Sequence, residues 1–197
     1  MRTTGALLLV GIALLSACRA KEKPPDVNQL VAELRGADPQ KSGEARLALI
    51  KLGEPAVPAL SDLLRSGQPA ERLAAANTLW GMGERGRASV PELASALGEA
   101  DTQLRVVAAM ALENMGPAAA LAVPALTKAV GDRDNAVRQA AVKALGAIGP
   151  PARDAVPTLT RALRRGSWPE AEEAVRRIRG LQPGAPVDLG DATGDSR

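Results

Sequence analysis

The chain repeats one arrangement of apolar and polar positions. Val57-Pro58, Val90-Pro91, Val123-Pro124 and Val156-Pro157 recur every 33 residues and open the phrases VPAL, VPEL, VPAL and VPTL. A Gly stands 26 residues after each of the first three Val, at Gly83, Gly116 and Gly149, and the same count from Val27 reaches Gly53. Agreement at so many positions marks an array of structural units. Val27 therefore opens a further unit, three residues shorter in its exit loop. Inside each unit the spacing is helical. Leu60, Leu63 and Leu64 form the stripe of a first helix, helix A. A second stripe, helix B, reads Ala45, Leu49, Leu52, then Ala75, Leu79, Met82, then Ala108, Leu112, Met115, then Ala141, Leu145, Ile148, and finally Ala174, Ile178, Leu181. An Ala one turn before the Leu allows two helices to approach closely.

The polar punctuation agrees. Pro falls in the opening turn of helix A, where its missing N–H costs little. Gly after the last apolar residue of helix B suits a helix stop that needs positive φ. Asp26-x-x-Gln29 and Ser167-x-x-Glu170 have capping-box spacing. Asp132 and Asp134 read as turn and cap residues of the fourth unit, and Glu170, Glu172 and Glu173 as a helix start favoured by the dipole. Both ends turn polar. Glu33 stands where later units have Leu63, Ala96, Ala129 and Ala162, and Glu173 and Arg177 replace small apolar residues of earlier units, as end units require.

The phrases Asn135-Ala136-Val137-Arg138-Gln139-Ala140-Ala141 and Gly146-Ala147-Ile148-Gly149, with Arg72-Leu73-Ala74-Ala75 and Arg105-Val106-Val107-Ala108, resemble HEAT repeats, specifically the short type named after phycobilisome lyases. The first unit departs with Ser42 at the Arg position, and the last with Ala171. The resemblance implies an all-α fold over residues 27–181: an α-solenoid of about five HEAT-type helix pairs, about 40–50 Å long at 8–10 Å per packed helix. In that family Arg near the A–B turn bonds carbonyls or acids of the adjacent unit, so Arg72, Arg105 and Arg138 are expected to be structural. Their other reading is a ladder that grips an acidic partner.

Composition removes most chemistry. The 197 residues include no His and one Cys, which excludes a Ser-His-Asp triad, His-containing metal sites and an intramolecular disulfide. The His-Glu iron motifs of the similar deoxyhypusine hydroxylases cannot be built here. Two Trp are the only aromatic residues, too few for a base-stacking platform. Gly146 to Pro150 is a helix exit, not a phosphate loop. No cofactor, metal or nucleic acid is expected, and no enzymatic activity.

The N-terminus reads as an address. A short positive start, an apolar run from Ala6 to Leu15 and small residues before Cys18 follow the order of a secretory signal. The run is too short to cross a bilayer, which takes about 20 residues. Leu15-Ser16-Ala17-Cys18 resembles a bacterial lipobox, which implies cleavage before Cys18 and acyl chains on it. Residues 1–17 are then a lipoprotein signal peptide, and residues 18–26 the lipidated Cys and a tether of about 25 Å. Arg19 is not the Asp associated with inner-membrane retention. The expected location is the bacterial envelope, facing the periplasm, with the outer membrane slightly favoured. Loss of Arg2 with the signal leaves 24 basic against 22 acidic residues, too even to suggest nucleic acid binding. Residues 182–197, rich in Gly, Pro and Asp, are expected to be a disordered tail.

The expected function is a non-catalytic scaffold that binds a protein or peptide on the concave side lined by helix B. The candidate surface comprises Leu47 and Ile50, Asn77 and Trp80, Met110, Lys143, and Arg176 with Arg179. It runs from apolar at the tethered end to basic at the far end, with Trp80 beside the small Ala76 and Ala109. The alternatives are a chaperone-like factor that holds clients transiently and, from another class, a lyase of the phycobilisome type.

Overall fold

A computed structural model describes residues 26–189. The expected signal segment, Cys18 and the expected tether before Asp26 lie outside the described residues. Among the described residues ten α-helices form five pairs: α1 (Val27–Arg35) with α2 (Pro39–Leu52), α3 (Val57–Ser66) with α4 (Pro69–Met82), α5 (Val90–Ala96) with α6 (Thr102–Met115), α7 (Val123–Ala129) with α8 (Asn135–Ile148), and α9 (Val156–Leu163) with α10 (Pro169–Arg179). The architecture is an all-α solenoid. The even-numbered helices pack along one another, whereas the odd-numbered ones barely touch their counterparts. The B helices therefore form the continuous packed layer of the array.

The apolar stripes are the core. Leu60, Leu63 and Leu64 are buried, as are Leu49, Leu79, Leu112, Leu145 and Ile178 and the Ala one turn before each. Leu181, counted with the fifth stripe, is exposed. The helix ends two residues early, because Gly180 adopts the left-handed conformation and the Leu181 N–H bonds to the Arg176 carbonyl. That is a Schellman end, and it turns Leu181 off the helical register.

The earlier B helices end differently. Gly53, Gly83, Gly116 and Gly149 have φ of 70°, 55°, 56° and 71°, and ψ between −133° and −141°, a region open essentially to Gly alone. This bend leads directly into a 3₁₀ turn that carries the chain to the next Val-Pro. The run Thr102–Ala129 has the length and hydropathy of a membrane span, but it is α6, a 3₁₀ turn and α7, broken at Gly116 and half buried in the solenoid.

Caps follow the repeat more closely than the two boxes suggest. Asp26, Asp38, Asp101 and Asp134 cap α1, α2, α6 and α8 through their carboxylates. The box Asp26-x-x-Gln29 is half formed, since Gln29 turns to Glu33 instead. Ser167 does not cap α10. Pro169 takes the first helical position, which moves the cap to Trp168 with no side-chain bond. A reciprocal box forms where none is expected, between Gln68 and Glu71 at α4. The tail also differs from expectation. Val187 packs on the core, and the carbonyls of Ala185, Asp188 and Leu189 accept hydrogen bonds from Arg176, Arg179 and Arg164. Residues 182–189 are thus folded onto the last pair, whose charged outer side supplies the donors. Residues 190–197 lie outside the described residues.

Candidate partner-binding surface

The B-helix face is built from one turn-spaced pair of positions per unit. Leu47 on α2 is 64% exposed and Trp80 on α4 is 42% exposed. Ile50 is half-buried. A Cβ built on Gly81 would sit 2.5 Å from its Cδ1, so Ile50 occupies the space that the missing side chain leaves and locks α2 to α4. Asn77 and Met110 are half-buried, and Lys143 is exposed. Asn77 donates to the Leu73 carbonyl of its own helix. Ala76 and Ala109 are fully buried between helices; they do not border Trp80 as open surface. The Trp80 carbonyl accepts a hydrogen bond of 2.8 Å from the Asn114 amide on α6. The same carbonyl accepts from the Gly83 N–H, so Asn114 adds a second bond that ties the end of α4, which carries the indole, to α6. No repeat signal marks Asn114. The exposed Leu121, in the 3₁₀ turn before α7, also falls outside the stripes.

Toward the other end, Gly146 takes the place of Trp80 and Glu113. Its Cα faces α10 so closely that an added Cβ would lie 3.1 Å from the Ala174 Cα. Beside this contact lies a cavity of about 440 Å³ lined by Glu113, Lys143, Gly146, Glu170, Glu173 and Arg177, among others. The lining carries both signs of charge. Arg176 is mostly buried and engaged with Glu172 and Glu173, while Arg177 bonds Glu173 at 3.0 Å. Arg179 is exposed and donates to the Asp188 carbonyl. Acids one turn earlier and the C-terminal segment thus engage Arg176, while Arg179 remains exposed. The structure brings Leu47, Ile50, Trp80 and Met110 onto one face and sets Arg176 and Arg179 against residues 185–188.

The Arg series at the helix B starts is a set of inter-unit rungs. Arg105 is 4% exposed. Its Nη1 donates to the Glu99 and Ala100 carbonyls, and its Nε and Nη2 hold Asp132 of the next unit at 3.0 and 3.1 Å. Arg72 donates to the Leu64 carbonyl and pairs with Glu99 at 2.7 Å. Ser42 replaces the same backbone bond in the first unit, donating to Leu34. The Arg72 hydrogen bond holds Glu99 below the ordinary carboxylate range against burial. Burial pushes the Asp132 carboxyl up, but the Asp134 N–H and the Arg105 guanidinium outweigh it and leave it lowered. Among the described residues no three His, Cys, Asp or Glu side chains converge as metal ligands.

The stacked helix pairs have counterparts in known proteins. Residues 90–178 match the family model described as HEAT repeats. The two units before residue 90 continue the same fold. Among solved structures the chain is similar to the complex of CpcE and CpcF of phycocyanin lyase from Nostoc sp. PCC7120 (20% identity, TM-score 0.62, 78% of this chain and 97% of that one). It is similar to an archaeal HEAT-like repeats protein from Thermococcus onnurineus NA1 (16% identity, TM-score 0.57, 81% and 67%). It is also similar to a designed armadillo repeat protein in complex with the peptide (KR)4 (18% identity, TM-score 0.54, 77% and 80%). These likenesses concern the fold. No curated protein sequence matches the chain.

Proposed function

We propose that this protein is a lipid-anchored, non-catalytic scaffold of the bacterial envelope that binds a protein or peptide along the B-helix face. One observation carries the reading: Trp80 and Leu47 stand exposed on that face beside the half-buried Ile50 and Met110, while the leucines beneath them are buried. Exposed Trp is the residue type that anchors partners, and grouped exposed apolar side chains mark interaction surfaces. The array fits the role, since a solenoid offers an extended concave surface without a dedicated pocket. The designed armadillo neighbour holding a peptide supports the same use of the architecture. The acyl chains implied at Cys18 would keep that surface within a tether's length of the membrane, two or more chains being enough for stable anchoring.

The test is capture of partners from native membranes by the acylated protein. Trp80→Ala is expected to reduce recovery of the main partner while helicity is unchanged. Undiminished recovery with Trp80→Ala and Leu47→Ser together overturns the assignment of the surface. One stoichiometric partner supports a scaffold; many substoichiometric clients support a chaperone-like holder. The lyase-complex neighbour gives a second reading, that of a lyase component. Incubation with a free bilin and an apo-phycobiliprotein separates the two, since only a lyase component raises the rate of attachment.

A further inference from the structure

The inter-unit rungs break at one place. Glu99, Asp132 and Residue 165 occupy equivalent turn positions: their backbone N–H groups bond the carbonyls of Ala96, Ala129 and Ala162 in the same way. Glu99 receives Arg72, and Asp132 receives Arg105. The position that should receive Arg138 is Arg165. Arg138 otherwise reproduces Arg105. Its Nη1 donates to the Asp132 and Arg133 carbonyls at 3.0 and 3.1 Å, and its Nη2 to Asn135 at 3.0 Å. The Nε edge, which in Arg105 grips a carboxylate, has no acceptor among the described residues, and neither guanidinium has an ion pair there. Both Arg line a cavity of about 420 Å³ with Asn135, Gln139, Ser167 and Trp168. Glu170 also lines it, without an ion pair to either.

We propose that this cavity is a binding site for a carboxylate, supplied by an acidic side chain of a partner polypeptide, which completes the third rung. The pre-set fork of Arg138 matches a carboxylate in two-point geometry. The exposed Arg165 adds a second positive charge, and the half-buried Trp168 provides an apolar wall. The site lies at the A–B turn edge, away from Trp80, so it stands or falls separately from the B-helix face.

Trp168 makes the test direct. In the full chain with Trp80→Phe, Trp168 is the only fluorophore of its kind. A blocked tetraglutamate peptide is expected to change its emission saturably and to bind one-to-one by calorimetry, whereas tetraglutamine does neither. Arg138→Gln and Arg165→Glu should each weaken binding by about tenfold or more, the loss of a charge-assisted fork. Arg165→Glu should also raise Tm, because it restores the acid found in the two earlier rungs. Arg161→Gln, exposed on α9, serves as the control and should change neither. Tetraglutamate binding that survives both rung variants overturns the proposal. So does inorganic phosphate binding as tightly as the peptide, which would indicate a free-anion site. If deletion of residues 190–197 is needed before the peptide binds, the chain's own tail is the occupant and a partner's acid is not.

Discussion

Arg105 and Asp132 bring the largest single electrostatic stake into the array. The guanidinium is nearly enclosed and the carboxylate mostly so, and five hydrogen bonds satisfy the Arg. Removing one partner leaves the other charge buried alone. Asp132→Ala is expected to cost about 3–5 kcal/mol. Glu99→Ala, on a rung open to water, should cost about 1 kcal/mol or less. Urea unfolding of the two variants checks the difference, and equal losses would contradict the burial. Glycines give an opposite pair. At Gly116 an added Cβ meets only the Ala147 carbonyl at 3.7 Å, so space is not the constraint. The backbone conformation is, and Gly116→Ala should destabilise by about 1–3 kcal/mol. Gly43 lies inside α2 with nothing within 4 Å of an added Cβ, and Gly43→Ala should stabilise by about 0.5–1 kcal/mol. These signs come from φ and ψ, which a residue letter alone does not display.

Helix packing sets the energies at the scale of the element. Leu112 on α6 is fully buried and Lys128 on α7 is exposed. Leu112→Ala should cost about 2–5 kcal/mol and Lys128→Ala little, read as midpoints of thermal unfolding. Gly146 is a different constraint. Its contact with the α10 backbone cannot relax by rotating a side chain, so Gly146→Val should overpack the α8–α10 seam and cost about 1–3 kcal/mol. The stripes were legible in the sequence because a 3.6-residue period at fixed phase leaves little choice of buried face. The place of Gly146 was not, because its role depends on how close a neighbouring helix comes. The cap of α10 shows a local conflict. Ser167 keeps the repeat register, yet Pro169 pre-empts it by fixing the first helical φ.

Across the whole molecule, acid stability follows from the rungs. Glu71 is held low by the Arg35 hydrogen bond, Glu99 by Arg72 and Glu173 by Arg177, and Asp132 stays low despite burial. A carboxyl with a lowered folded pKa binds more protons when unfolded. Its contribution is complete above about pH 5 and disappears as pH falls through and below about 4. Tm should therefore drop steeply from pH 5 to pH 3, and Glu99→Gln with Asp132→Asn should flatten that fall. A flat wild-type profile would mean that the rungs carry no stability.

Repeat number, helix pairing, buried stripes and the glycine bends were determined by the sequence itself. Each rests on local stereochemistry multiplied by a 33-residue period, so every unit corroborates the others. Tertiary structure alone decided which charged residues are free. Arg176 and Arg179 read as an open basic end, but folding brings Glu172, Glu173 and the carbonyls of residues 185 and 188 to them. Stacking of the units sets Arg165 where two predecessors hold acids. Charge pairing across units depends on distances of a few ångströms between residues about 27 apart, and no periodicity in one chain specifies those distances.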